Sequence, residues 1–377
     1  MAPHLHLARQ NFADLTQQPA AEPTPQPLQL APGEFAILAN ANARGFQSAW
    51  RRGAFTGLRQ EDIFVSHQAT ESEGMLRTAL QHGYKALFFC GGDGTITHFL
   101  NDLRAALPNP IHQPYVGVIR LGTGNAVADT LRCGRAVDDL ARLQDLTATA
   151  ITPLPLLETE GLLCPFAGCG VDAQILNEYI ALREKLAGTP LHKVVTGVRG
   201  YLVTGIFKTA PMMAATRTQQ RVIAINEGAT AYAVDKNGRI LEHFRRGDVL
   251  YDGPMLMAAA GTIPYYGYRL RMFPAARLQA DHFQLRIGMM NPLMAVYRLR
   301  RMWRGDLDQA QGAFDFLAQR VRLEFDAPMP FHIAGDAVGY RREVTFARCG
   351  RLFNFVRPLG ASVLPLASTR LRTAAAR

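Results

Sequence analysis

The chain has 377 residues, 48% of them hydrophobic, which suits two domains better than one. Its net charge of +10 calls for an anionic partner such as a phosphate or a membrane surface, while no helix-turn-helix, zinc-finger or aromatic-basic sheet signature points to nucleic acid. Five scattered cysteines argue against a disulfide framework, no run of eighteen apolar residues offers a transmembrane segment, and the N-terminus lacks a signal-peptide layout, so a cytoplasmic protein is expected.

Residues 1–32 form a leader rich in proline and glutamine that favours neither helix nor strand. The apolar run Phe35–Ala39 then reads as a strand that enters Asn40-Ala41-Asn42-Ala43-Arg44-Gly45, and Ile63–Ser66 as a second that leads to Thr70-Glu71. A third, Ala86–Cys90, runs into Gly91-Gly92-Asp93-Gly94-Thr95, after which Thr97, Phe99, Leu100 and Leu103 recur at helical spacing. Glycines that open a helix let the backbone approach an anion and leave free amides pointing at it. Asp93 at the centre of the turn repels phosphate, so it suggests a magnesium ion, a water-mediated contact or a hydroxyl to be deprotonated. A fourth strand, Val116–Ile119, meets a similar turn, Leu121-Gly122-Thr123-Gly124-Asn125, followed by the helical stretch Ala126–Leu131. Such units predict adjacent parallel strands whose ends converge on one crevice, so residues 33–155 are read as an α/β nucleotide-binding domain of Rossmann-like type.

Beyond Leu156 the pattern becomes mainly β. Arg221–Ile225, Ala231–Val234, Leu256–Ala260, Phe283–Ile287 and Val321–Phe325 read as strands, and Asn237-Gly238 as a hairpin turn. Helices are expected over Ile175–Leu186 and over residues 194–207. The stretch Tyr297–Arg304 mixes arginines with Trp303 and large apolar residues; it suits either a membrane interface or a helix with its apolar side on the core. Residues 156–358 are therefore taken as a β-sandwich domain with a helical insert, and 359–377 as a basic tail.

The set Asn40…Gly45, Gly91–Thr95 and Leu121–Asn125 resembles the catalytic domain of the diacylglycerol kinase and sphingosine kinase superfamily, closest to its soluble bacterial lipid kinases. Ala167–Ala173, Tyr265-Tyr266-Gly267 with Phe273–Ala276, and Ile333–Gly339 resemble the later signatures of that group in the same order. The resemblance implies a nucleotide domain of NAD-kinase-like fold joined to a β sandwich, with the active site between them. It implies ATP and Mg2+ as cofactors, with nucleotide contacts from Asn40, Thr70, Gly91, Gly92, Asp93, Gly94, Thr95, Gly122, Thr123, Gly124 and Asn125. Asp336 occupies the slot of the family's proton acceptor, and Asp93 is the other candidate for direct chemistry. A second-domain magnesium position would fall on Leu278, Asp281 and Phe283. The chain departs from the family at Ala41, His98, Ala126, His282 and Ala334.

The expected function is an ATP- and Mg2+-dependent lipid kinase that transfers the γ-phosphate to a lipid hydroxyl at a membrane surface. Two alternatives stay open: a kinase for a soluble acceptor such as NAD, since NAD kinases share the Gly91–Thr95 loop while Asn226-Glu227 and Gly228–Tyr232 resemble their motifs only superficially because here they abut, and a non-catalytic nucleotide or lipid sensor. The acceptor lipid and the oligomeric state, a homodimer included, are not specified by these motifs.

Overall fold

The computed structural model describes residues 27–145, 147–186 and 220–359; the expected leader up to residue 26, the helix expected at 194–207 and the tail from 360 lie outside them. Two sheets organise the chain. The first has seven strands in the order Pro27–Leu30, Thr147–Leu154, Phe353–Pro358, Tyr115–Arg120, Ala86–Gly91, Phe35–Asn40, Ile63–Ser66. The last five are mutually parallel and the two at the other edge antiparallel. Strands covered on both faces read as continuous apolar runs, and Ala86–Gly91 is buried throughout. Leu87 and Phe89 pack with the helices Ser72–Gln81 and Asp93–Ala106, while Phe88 and Cys90 pack on the other side with Phe46 and Phe55.

The second sheet has twelve strands, from Leu157–Thr159 to Asp336–Arg348, and all its pairings are antiparallel. One face closes over its own core, with Phe283, Leu285, Phe316, Leu323 and Phe331 among its members. The opposite face turns toward the first domain and carries mostly small residues. Register sets them in rows: His332 lies opposite Gly168, Gly168 opposite Ala259, Ala259 opposite Arg286, and Arg286 opposite Asp315. The neighbouring row is Gly170, Met257, Gly288 and Ala313.

Two expectations about domain limits differ from what is observed. Pro27–Leu30, placed in the flexible leader, pairs with Thr147–Leu154. Phe353–Pro358, placed in the second domain, returns to the first sheet between Tyr115–Arg120 and Thr147–Leu154, with Phe353 and Phe355 fully buried. A short apolar strand carries no local mark of which sheet it joins, because its partners lie far away in sequence.

The hairpin that ends at Asp336 sets the position of that carboxylate. Its two-residue turn, Ala334-Gly335, has positive φ at both residues, 51° and 88°, with Ile333 paired to Asp336. This is the backbone of a type I′ turn, in which Asn, Asp or Gly is favoured at the first position. Alanine there is strained, because its Cβ crowds the carbonyl oxygen in the left-handed region. Ala334→Asn should therefore stabilise the protein by about 1 kcal/mol, seen as a higher urea midpoint at unchanged slope; an unchanged or lower midpoint would contradict the strain.

Candidate active site

The two glycine turns meet backbone to backbone. Leu121 and Gly122 both donate their amides to the carbonyl of Gly91, at 3.1 and 2.9 Å. A Cβ on Gly122 would lie 2.0 Å from the Cα of Gly92, so only glycine permits this approach. Asn125 holds the second turn in shape: it sits at φ 55°, accepts from the Gly122 amide at 3.1 Å and donates to the Gly122 carbonyl at 2.7 Å. Asn40, at the end of its own strand, donates to Thr95 Oγ1 at 3.1 Å. The helix Asp93–Ala106 starts from Gly92 without a side-chain cap, which leaves first-turn amides for an anionic ligand.

Asp93 has a different task from the one its place in the motif suggests. Both carboxylate oxygens accept backbone amides of the next helix, Ala126 at 2.8 Å and Val127 at 3.0 Å. The side chain is 6% exposed, and burial raises its carboxyl to about 6 against the pull of the two amide bonds. It is a clamp between two helix starts.

Asp336 stands opposite. Its Oδ2 lies 2.7 Å from where a Cβ of Gly94 would be, so the glycine gives this carboxylate access to the helix start. The side chain opens onto the cleft, yet protein encloses the cleft on both sides; desolvation therefore pushes its carboxyl above the usual aspartate value, with His332 and His98 pulling it down. Behind it lies a buried polar group that sequence reading did not assemble. His332 Nε2 is 3.1 Å from Asp172 Oδ2, the Tyr266 hydroxyl hydrogen-bonds with both, and His332 Nδ1 accepts the Gly335 amide at 3.4 Å. Asp172 and Tyr266 sit within motifs already noted, but His332 follows only from the pairing of its strand with Phe166–Gly170. On the far side of the turn, His98 Nε2 is 2.9 Å from Ser72 Oγ, which donates to Asp102 at 2.9 Å.

These groups line one end of a cleft of about 880 Å³ between the two sheets. Asn40, Gly92, Asp93, Gly94, Thr95, Gly122, Thr123, Gly124 and Asp336 all border it. Its other end is apolar, walled by Ile175, Leu176 and Ile180 of the helix Val171–Lys185, by Leu256, Met257 and Met290, and by Leu299, Met302 and Trp303. The last three belong to the short helix Leu299–Arg304, whose Arg300, Arg301 and Arg304 point to solvent beside an 82% exposed Tyr297. That helix thus turns its apolar side to the cleft and its basic side to solvent.

Other expected site residues lie elsewhere. Gly91 and Asn125 shape the turns without bordering the cleft, and Thr70 is exposed, with Gln68 and Ser72 at the wall in its stead. Leu278, Asp281 and Phe283 do not border the cleft. Asp281 already meets His282 Nδ1 at 2.7 Å and Gln319 Nε2 at 2.9 Å, Phe283 is fully buried, and no group of three His, Cys, Asp or Glu among the described residues could hold a metal. A lone carboxylate with both oxygens engaged does not fit a resident magnesium ion.

Residues 41–158 match the family model of the diacylglycerol kinase catalytic domain. A search of curated proteins gives no significant match. Among solved structures, a diacylglycerol kinase from Bacillus anthracis superposes with a TM-score of 0.53 at 12% identity, over 85% of this chain and 96% of that one. A second protein from the same organism, provisionally named a diacylglycerol kinase, gives 0.58 at 14% identity, over 87% and 98%. At such identities the superpositions speak for the fold, an α/β domain followed by a mostly antiparallel β domain. Residues 41–158 of this chain are thus similar to the diacylglycerol kinase catalytic domain.

Proposed function

We propose that the protein is an ATP-dependent lipid kinase. The observation that carries this reading is the continuity of the cleft: one cleft is bordered both by the two glycine turns and by the apolar wall of Ile175, Leu176, Met302 and Trp303. A soluble acceptor needs no such hydrocarbon-lined extension. The residues that speak for an NAD kinase support this choice, since Asn226 is buried against Phe244 and Arg245, Glu227 pairs with Arg320 and Arg322, and neither borders the cleft.

In this reading the amides at the start of Asp93–Ala106, with Thr95 and Asn40, receive the ATP phosphates, and Gly122–Gly124 close the other side. Mg2+ arrives as the counter-ion of ATP and offsets triphosphate charge. Asp336 takes the proton of the acceptor hydroxyl, whose oxygen bonds to the γ-phosphorus as the bond to the β,γ-bridging oxygen breaks and its electron pair leaves with ADP. Asp93 is left out of the proton transfer because both its oxygens hold helix amides. In this reading the helix Leu299–Arg304 delivers the acceptor, its apolar side bordering the cleft while its exposed arginines would meet anionic head groups of the cytoplasmic leaflet. No helix among the described residues is long and apolar enough to cross a membrane.

Labelled ATP offered with micellar glycerolipids, sphingoid lipids and NAD tests the reading. Label is expected in a lipid; label in NAD alone, or in nothing while ATP binds, would contradict it and favour the soluble-acceptor kinase or the sensor. Asp336→Asn should lower kcat by about 10²- to 10⁴-fold at an unchanged melting temperature. Because a base must be ionised, kcat should rise with pH through a limb above the ordinary aspartate range. His98→Ala removes a charge that lowers the Asp336 pKa and should move that limb to higher pH; a limb that stays in place rules out the coupling. Arg300→Ala with Arg304→Ala should weaken binding to anionic vesicles by roughly 30-fold, taking about 1 kcal/mol per charge, and leave neutral vesicles unaffected.

A further inference from the structure

One buried charge in the cleft has no part in phosphoryl transfer. Arg286, in the strand Phe283–Gly288, is 2% exposed yet borders the cleft. Its Nε and Nη2 each donate to Asp315 at 2.7 Å, and Asp315 also accepts from Gln284 at 2.7 Å. Nη1 is buried with no hydrogen-bond partner among the described residues. A guanidinium N–H kept from water without an acceptor is costly, which makes it a group held ready for one.

Its direction follows from planar geometry. A guanidinium that spends its Nε–Nη2 edge on one carboxylate aims Nη1 away from it. Asp315 lies on the neighbouring strand in the same register row, so away from it means back across Ala259 and Gly168 toward His332. Those are the two smallest residues of the row, and over Gly168 stand Asp172, Tyr266 and His332, which border the cleft together with Arg286. Three strand spacings, roughly 14 Å between backbones, separate Arg286 from His332. The donor therefore sits part-way along the acceptor's path, beyond the transfer site and beside the apolar wall formed by Leu256, Met257 and Met290.

We propose that Arg286 Nη1 donates to a carbonyl oxygen in the body of the acceptor and so selects acylated lipids, whether esters or amides; this rests on the lipid kinase reading. The charge of Arg286 is already matched by Asp315, so a second anion would be uncompensated there. A hydroxyl would bring a proton that the apolar wall leaves unmet, and an ether oxygen is a poorer acceptor. A carbonyl needs one donor and nothing more.

Matched acceptors test this in the wild-type protein: a diacylglycerol against the dialkyl ether of equal chain length, and a ceramide against its free sphingoid base. One acyl member should be preferred in kcat/KM by about 10- to 100-fold, the range of one charge-assisted hydrogen bond, and the pair that shows it separates ester from amide. Arg286→Gln combined with Asp315→Asn keeps a neutral hydrogen-bonded pair, and its preference should collapse toward one. Equal wild-type turnover of both members of each pair would overturn the proposal while the kinase reading stands, as would a folded double variant that keeps the preference. Absence of label in every lipid would overturn the kinase reading and this inference with it.

Discussion

Asp93 accepts the amides of Ala126 and Val127 from the first position of its own helix, and this clamp fixes how far apart the two glycine turns can lie. The contact of Gly92 with Gly122 is held as well by the bonds to the Gly91 carbonyl and by the pairing of Gly91 with Arg120. The carboxylate is buried, which is expensive for a charge, and the two amides together with the helix start partly offset that cost. An aspartate inside a phosphate-binding turn thus makes physical sense as architecture.

The second domain completes the site by register. Antiparallel pairing carries His332, Gly168, Ala259 and Arg286 across one face in a single row, alternating with core residues that point the other way. Gly168 in that row makes room for Asp172, Tyr266 and His332 at the cleft, and the helices Val171–Lys185 and Leu299–Arg304 line it with leucine, isoleucine, methionine and tryptophan. The tie between domains is direct: Tyr268 donates to the Gly124 carbonyl at 2.9 Å, and Arg269 meets Asp129, which also pairs with Arg120. The second domain therefore touches the glycine turn itself.

Much of this was legible in the sequence, for reasons that differ by element. The parallel strands were readable because each is an apolar run that ends in a turn; Ile63–Ser66 has the bounds its composition suggests. Asp336 was readable from its motif, and the structure brings it to Gly94. His332 and Arg286 were not, since a polar residue in a strand declares its face only once the register is known. Asp93 was noticed for its charge, but its partners are backbone amides, which no side-chain pattern reveals. Leu278, Asp281 and Phe283 matched a motif position whose surroundings differ, with His282 and Gln319 occupying the carboxylate. Pro27–Leu30 and Phe353–Pro358 escaped because strands at the ends of a chain acquire their identity from distant partners.

The central claim, that one cleft holds nucleotide phosphates and a lipid together, is tested most directly by photo-crosslinking. A glycerolipid with a photoreactive group near the end of one acyl chain would be irradiated with the intact protein, and the labelled residues located by mass spectrometry. The account predicts label on Leu176, Ile180, Leu299, Met302 or Trp303, unchanged by ATP and competed by excess unlabelled lipid. Label confined to other surfaces, or displaced from these residues by ATP, would contradict it.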